Sequence, residues 1–125
     1  MMSKFLLYLA GSLLIASTAL AGEKKLMHCF AFTAQENATP ADWDAFYKAT
    51  NELPKKIKGL SKVWYGKLAS PLQVGERVRQ YGVCMEMADQ SVREDYGRNP
   101  VHDEWNKAYS KVMVPGTTTF DIVGQ

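Results

Sequence analysis

The chain has 125 residues, with 15 lysines and arginines against 13 acidic residues, and a formal net charge of +2 at pH 7. That length is one domain's worth. The near balance of charge excludes a nucleic-acid or anionic-membrane surface built on a basic excess, and two cysteines exclude a disulfide-dense scaffold.

Residues 1–21 read as a secretory signal peptide. Lys4 supplies the positive start, Phe5 to Leu14 an apolar core broken only by Gly11 and Ser12, and Ala19-Leu20-Ala21 a small-x-small cleavage site. The apolar run is too short to favour a membrane span. Glu23 stands where a lipidated cysteine would be, so lipid anchoring is not expected. The expected mature protein is residues 22–125, exported to the periplasm or secreted, with no membrane partner after cleavage. It loses Lys4 alone among charged residues, leaving 14 basic residues (15 less one) and all 13 acidic ones. About a hundred residues bury only a modest core, so dimerisation would help stability.

Leu26 to Phe32 is an aromatic-rich apolar run and reads as a first strand. Leu26, His28, Phe30 and Phe32 share one face; Met27, Cys29 and Ala31 share the other. Both faces are mostly apolar, so the strand is expected to be covered on both sides. After a polar loop, Thr39-Pro40 opens a helix as cap and first-turn proline. Trp43, Phe46, Tyr47, Leu53 and Ile57 form its apolar stripe, and Pro54 predicts a kink or break near Leu53. Leu60 to Leu68 reads as a second strand and Ala69 to Glu76 as a turn region. Arg77 to Met87 reads as a third strand, and Gln90 to Tyr96 as a short helix. Pro100 begins a helix through Val114 that Pro115-Gly116 stops. Thr117 to Val123 is a β-branched final strand.

The order is β-α-β-β-α-β, a ferredoxin-like α+β arrangement with helices on one face of a four-stranded antiparallel sheet. The other sheet face also reads as apolar. A second copy covering it is the economical solution, which predicts a homodimer.

With these elements placed, the sequence resembles the stress-response A/B barrel (Dabb) domain family. The matching residues are His28 in the first strand, the Ile57-Lys58-Gly59-Leu60 turn, and Tyr65-Gly66. To these are added Tyr96-x-x-Asn99-Pro100-x-His102, Trp105 and Phe120-Asp121, so the likeness spans about residues 26–123. It implies a ferredoxin-like protomer that pairs into a dimeric α/β barrel. The family's usual histidine before the proline is replaced by Asn99, and no role carries over at that position. Most members have no established activity; some plant members, similar to olivetolic acid cyclase, close polyketide rings by aldol chemistry. In those the pocket residues match His28, Tyr96, His102 and Asp121 here. The related antibiotic-biosynthesis and haem-degrading monooxygenases share the barrel, but the tyrosine–histidine motif argues against them.

Those four residues suit carbonyl chemistry. A histidine near neutral pKa can take a proton beside a carbonyl, and a phenol or second imidazole can hold the oxygen that becomes negative. Asp121 bonded to the far nitrogen of His102 would fix its tautomer. No cofactor and no metal are expected, since two distant histidines make no ligand cluster. Each residue reads equally as structural: His28 as a satisfied core histidine, Tyr96 as a core cap, and His102 with Asp121 as a tie between helix and strand. The expectation is an exported small-ligand protein with a pocket between sheet and helices. The alternative is a cofactor-independent cyclase or lyase using these residues. Cys29 and Cys84 fall on strands that neighbour each other in this order. Export permits a disulfide between them, and buried thiols fit as well.

Overall fold

The computed structural model describes residues 24–125, so the expected signal peptide lies outside the described residues. The elements are β1 (Leu26–Ala34), α1 (Pro40–Lys56), β2 (Leu60–Val74), β3 (Arg77–Met87), α2 (Gln90–Tyr96), α3 (Pro100–Tyr109) and β4 (Met113–Val123). The strands form one antiparallel sheet in the order β2-β3-β1-β4. This is the expected ferredoxin-like topology.

Period two assigns the faces. Leu26, Phe30 and Phe32 of β1 meet Val83, Met85 and Met87 of β3 under the helices. Phe46, Leu53, Trp105, Tyr109 and Val112 complete this core. Trp105 donates its indole N–H to Thr50 Oγ1 at 2.9 Å, and Thr50 donates onward to the Phe46 carbonyl at 2.8 Å. That buried chain fixes α3 against α1 without leaving a polar atom unpaired.

Several boundaries differ from the sequence reading. Pro54 does not break α1, which starts at a complete Thr39–Asp42 capping box and runs to Lys56. The proline sits in the last turn, where few bonds remain to be lost, and the Ile57 N–H still reaches the Leu53 carbonyl at 2.9 Å. Residues 69–74 are not a turn but the outer half of β2, joined to β3 around Gly75 and Glu76. A register shift between Lys67 and Leu72 absorbs the irregular residues. The last helix ends at Tyr109 and not at Val114, and Pro115-Gly116 lies inside β4. An edge strand tolerates that proline, because one side of its ladder needs no donor.

Cys29 and Cys84 are direct partners in the β1–β3 register and form a disulfide, with Cα atoms 4.1 Å apart. The spacing suits the closer class of antiparallel pair. It falls just under the roughly 4.4 Å lower bound usual for disulfides.

Candidate functional site

Four elements converge at one end of the sheet's helix side. His28 projects from β1. Asp121 is its register partner on β4. Tyr96 ends α2, and His102 lies in the first turn of α3, whose N-terminus is capped by the Asn99 side chain accepting from the Val101 N–H at 2.9 Å. Asn99 therefore serves as a cap, where its short polar side chain is well suited. The position of α2 is set from below by Gly59. Its φ of +88° favours glycine, and a Cβ there would lie 2.5 Å from a Val92 methyl carbon.

The hydrogen bonding differs from the expectation. Asp121 does not bond His102. Its Oδ1 lies 2.6 Å from His28 Nδ1, and its Oδ2 accepts from Arg93 Nε at 3.0 Å. A carboxylate can only accept, so Nδ1 of His28 carries the hydrogen and Nε2 keeps the lone pair. Arg93 was missed by sequence reasoning. The signal was there: it lies three residues before Tyr96, on the same face of α2.

His102 packs by ring contact instead. Its ring is 4.6 Å from that of Tyr96, edge to face, and 5.6 Å from that of Trp105, stacked. The ring of Tyr96 is also 5.5 Å from that of His28. Tyr96 thus stands between the two imidazoles. It is only 2% exposed, and its hydroxyl is buried without a hydrogen-bond partner among the described residues. His28 is buried too, while His102 is half-buried at the rim.

Burial sets the electrostatics. It lowers the pKa of His28 and outweighs the opposing pull of the Asp121 bond, so the imidazole is neutral at neutral pH. The close contact with Asp121 alone would argue for an imidazolium. The depth of the ring decides otherwise. Burial likewise lowers His102 and raises the Tyr96 phenol far above its usual value. Burial opposes charge on Asp121 as well, but its bonds to His28 and Arg93 prevail and its pKa is lowered. The result is two neutral imidazoles, a protonated phenol and a carboxylate held ionised beside a guanidinium.

The expected pocket between sheet and helices is not where the large concavity lies. A hollow of about 660 Å³ occupies the opposite sheet face, lined by Met27, Cys29, Trp64, Leu68, Phe120 and Ile122 among others. Trp64, Cys84, Cys29 and Phe120 are successive register partners and form a row across all four strands. Trp64 is 74% exposed and Phe120 and Ile122 are at least half exposed.

The sequence matches no protein-family model and no curated protein. Solved structures do match. The class these define is the ferredoxin-like α+β fold. A dimeric ferredoxin-like protein of unknown function from Bacteroides fragilis is 16% identical, over 79% of this chain and 95% of that one, with a TM-score of 0.60. Within the class, the chain shares its fold with a Dabb family protein from Mesorhizobium loti. That protein is 17% identical over 82% of this chain and 99% of its own, with a TM-score of 0.63, a likeness of fold. A hydroxynitrile lyase from Passiflora edulis is similar in fold at 8% identity, over 82% of this chain and 95% of that one, with a TM-score of 0.67.

Proposed function

We propose that this protein is an exported, homodimeric Dabb-type domain that binds a small carbonyl-containing molecule at Tyr96, between His28 and His102. The observation that carries the reading is the Tyr96 hydroxyl, a buried donor with no partner among the described residues. Leaving such a group unpaired costs about 1–3 kcal/mol, a cost that a ligand oxygen would offset. The protonated phenol donates to that oxygen. Nε2 of His28, with Nδ1 bound to Asp121, keeps the lone pair that would act as a base. Asp121 and Arg93 hold the imidazole's tautomer and orientation.

The same arrangement suits proton transfer next to a carbonyl, as in aldol-type ring closure, or at a hydroxyl in a lyase reaction. The fold shared with a hydroxynitrile lyase gives that second reading weak support. Dimerisation is supported by the exposed Trp64–Phe120 row and by neighbours of the same fold that are dimeric. A second copy laid on that face would bury the apolar surface a monomer exposes. Export is supported by the Cys29–Cys84 disulfide, which persists in oxidising compartments.

The test is α-proton exchange of a simple ketone, acetophenone, in deuterated water, together with its binding followed by NMR. Exchange faster than buffer alone, lost in Tyr96→Phe and His28→Gln, supports the enzyme reading. Binding without exchange leaves a ligand-binding domain. Neither binding nor exchange by acetophenone and other small carbonyl compounds overturns the reading.

A further inference from the structure

A second polar site lies at the other end of the sheet, away from Tyr96. Arg79 of β3 is only 6% exposed, yet it forms no ion pair among the described residues. Arginine is almost never buried to this degree without an anionic partner, because an uncompensated charge loses its hydration. What holds it is neutral. Nε donates to Thr118 Oγ1 at 3.3 Å and Nη1 to Thr33 Oγ1 at 2.9 Å. The Thr33 hydroxyl spends its own hydrogen on the Val78 carbonyl at 2.8 Å, so it serves Arg79 only as an acceptor. Nη2 has no hydrogen-bond partner among the described residues.

A second guanidinium stands beside it. Arg77 donates from Nη1 to the Pro115 carbonyl at 2.8 Å. Gly116 lies over both. Its φ is +116°, and a Cβ there would sit 3.4 Å from Arg79 Nη2 and 4.0 Å from Arg77 Nη1. A side chain at this position would stand in van der Waals contact with both cations. Two forked donors, one of them mostly buried with its Nη2 still open, beside a glycine, are the chemistry of oxyanion recognition.

We propose that Arg79 and Arg77, beneath Gly116, form a binding site for a small oxyanion, a carboxylate or phosphate group. The anion approaches the two guanidiniums on the side that the missing Gly116 side chain leaves open, and accepts from Arg79 Nη2 and from the Arg77 guanidinium. It supplies the negative charge that the buried guanidinium lacks. The site shares no residue with the Tyr96 cluster.

The test is titration of the purified protein with inorganic phosphate, and separately with acetate, against sodium chloride at matched ionic strength. The readouts are the Arg79 Nε–H resonance and the thermal midpoint. A saturable shift and a raised midpoint with either anion, absent with chloride, are expected. Arg77 is exposed, so Arg77→Gln leaves the fold intact and should weaken binding about tenfold or more. Phosphate and acetate no different from chloride would overturn the site, as would full-strength binding in Arg77→Gln. A dimer that dissociates in Arg77→Gln, with Arg79 unmoved by either anion, would assign the guanidiniums to a carboxylate of a second copy. That result also overturns the free-anion site.

Discussion

Asp121 is bound to His28, directly across the β1–β4 ladder at 2.6 Å, and not to His102, to which the sequence motif would assign it. The pairing changes which imidazole has a fixed tautomer. His28 is oriented by a carboxylate that Arg93 holds in turn. His102 is held by ring packing, and its nitrogens are the freer of the two pairs.

Asp121→Asn tests that relationship. The amide keeps the shape but loses the charge that both His28 and Arg93 address. A loss of about 1–2 kcal/mol is expected, toward the lower part of the range for charged hydrogen bonds because the site is partly exposed. The carboxylate also raises the His28 pKa against burial, so the imidazole should titrate lower still in the variant. NMR titration of the His28 ring reads this directly, and an unchanged pKa would refute the coupling.

Tyr96→Phe separates stability from function. The hydroxyl is buried and unpaired, so removing it should leave stability unchanged or raise it by up to about 1 kcal/mol. Ligand binding should fall at the same time. An unfolding free energy from urea titration that drops by more than about 1 kcal/mol would show that the hydroxyl has a structural partner.

Stability should fall with acid in a particular window. Both imidazoles have folded-state pKa values below 6.5, because burial opposes their charged forms. The unfolded chain takes up these protons first, so the stability is fully present above about pH 6.5 and declines as pH drops below it. Asp121 has a lowered pKa as well, and its contribution is lost only further down, below the usual carboxylate value. Urea midpoints between pH 7.5 and 5.0 should decline steadily, and less so in His102→Gln. A flat profile would mean that the imidazoles titrate alike in both states.

The disulfide closes a loop of 55 residues. The chain-entropy relation gives about 4 kcal/mol for such a loop, an upper figure where the unfolded chain keeps some structure. Cys29→Ser with Cys84→Ser should therefore cost about 2–4 kcal/mol, and adding a reductant to the unchanged protein should produce a comparable loss. Equal midpoints with and without reductant would deny the bond a part in stability.

Trp64→Glu probes the outer face. The indole is largely exposed in the protomer, so the change should spare the fold. In a dimer built on that face it buries a charge, and sedimentation should show a monomer. A variant as dimeric as its parent would place the interface elsewhere.

Local pattern determined most of the architecture. Alternation in Leu26 to Phe32 and Arg77 to Met87 marked both strands, and the Trp43–Phe46–Leu53 spacing marked α1, because periodicity is a property of neighbouring residues. The six-residue step from Tyr96 to His102 across Pro100 likewise placed both rings at one helix junction. What the tertiary structure alone decided was non-local. His28 and Asp121 are 93 residues apart, and only the β1–β4 register makes them partners. Arg93 joined them because α2 lands on Gly59 at one angle. The ends of β2, α3 and β4 moved for the same reason. Proline and glycine carry a local cost, and whether a strand or helix bears it depends on the ladder bonds and packing around it. Gly116 of β4 comes to lie beside Arg77 and Arg79 of β3 only in the folded sheet.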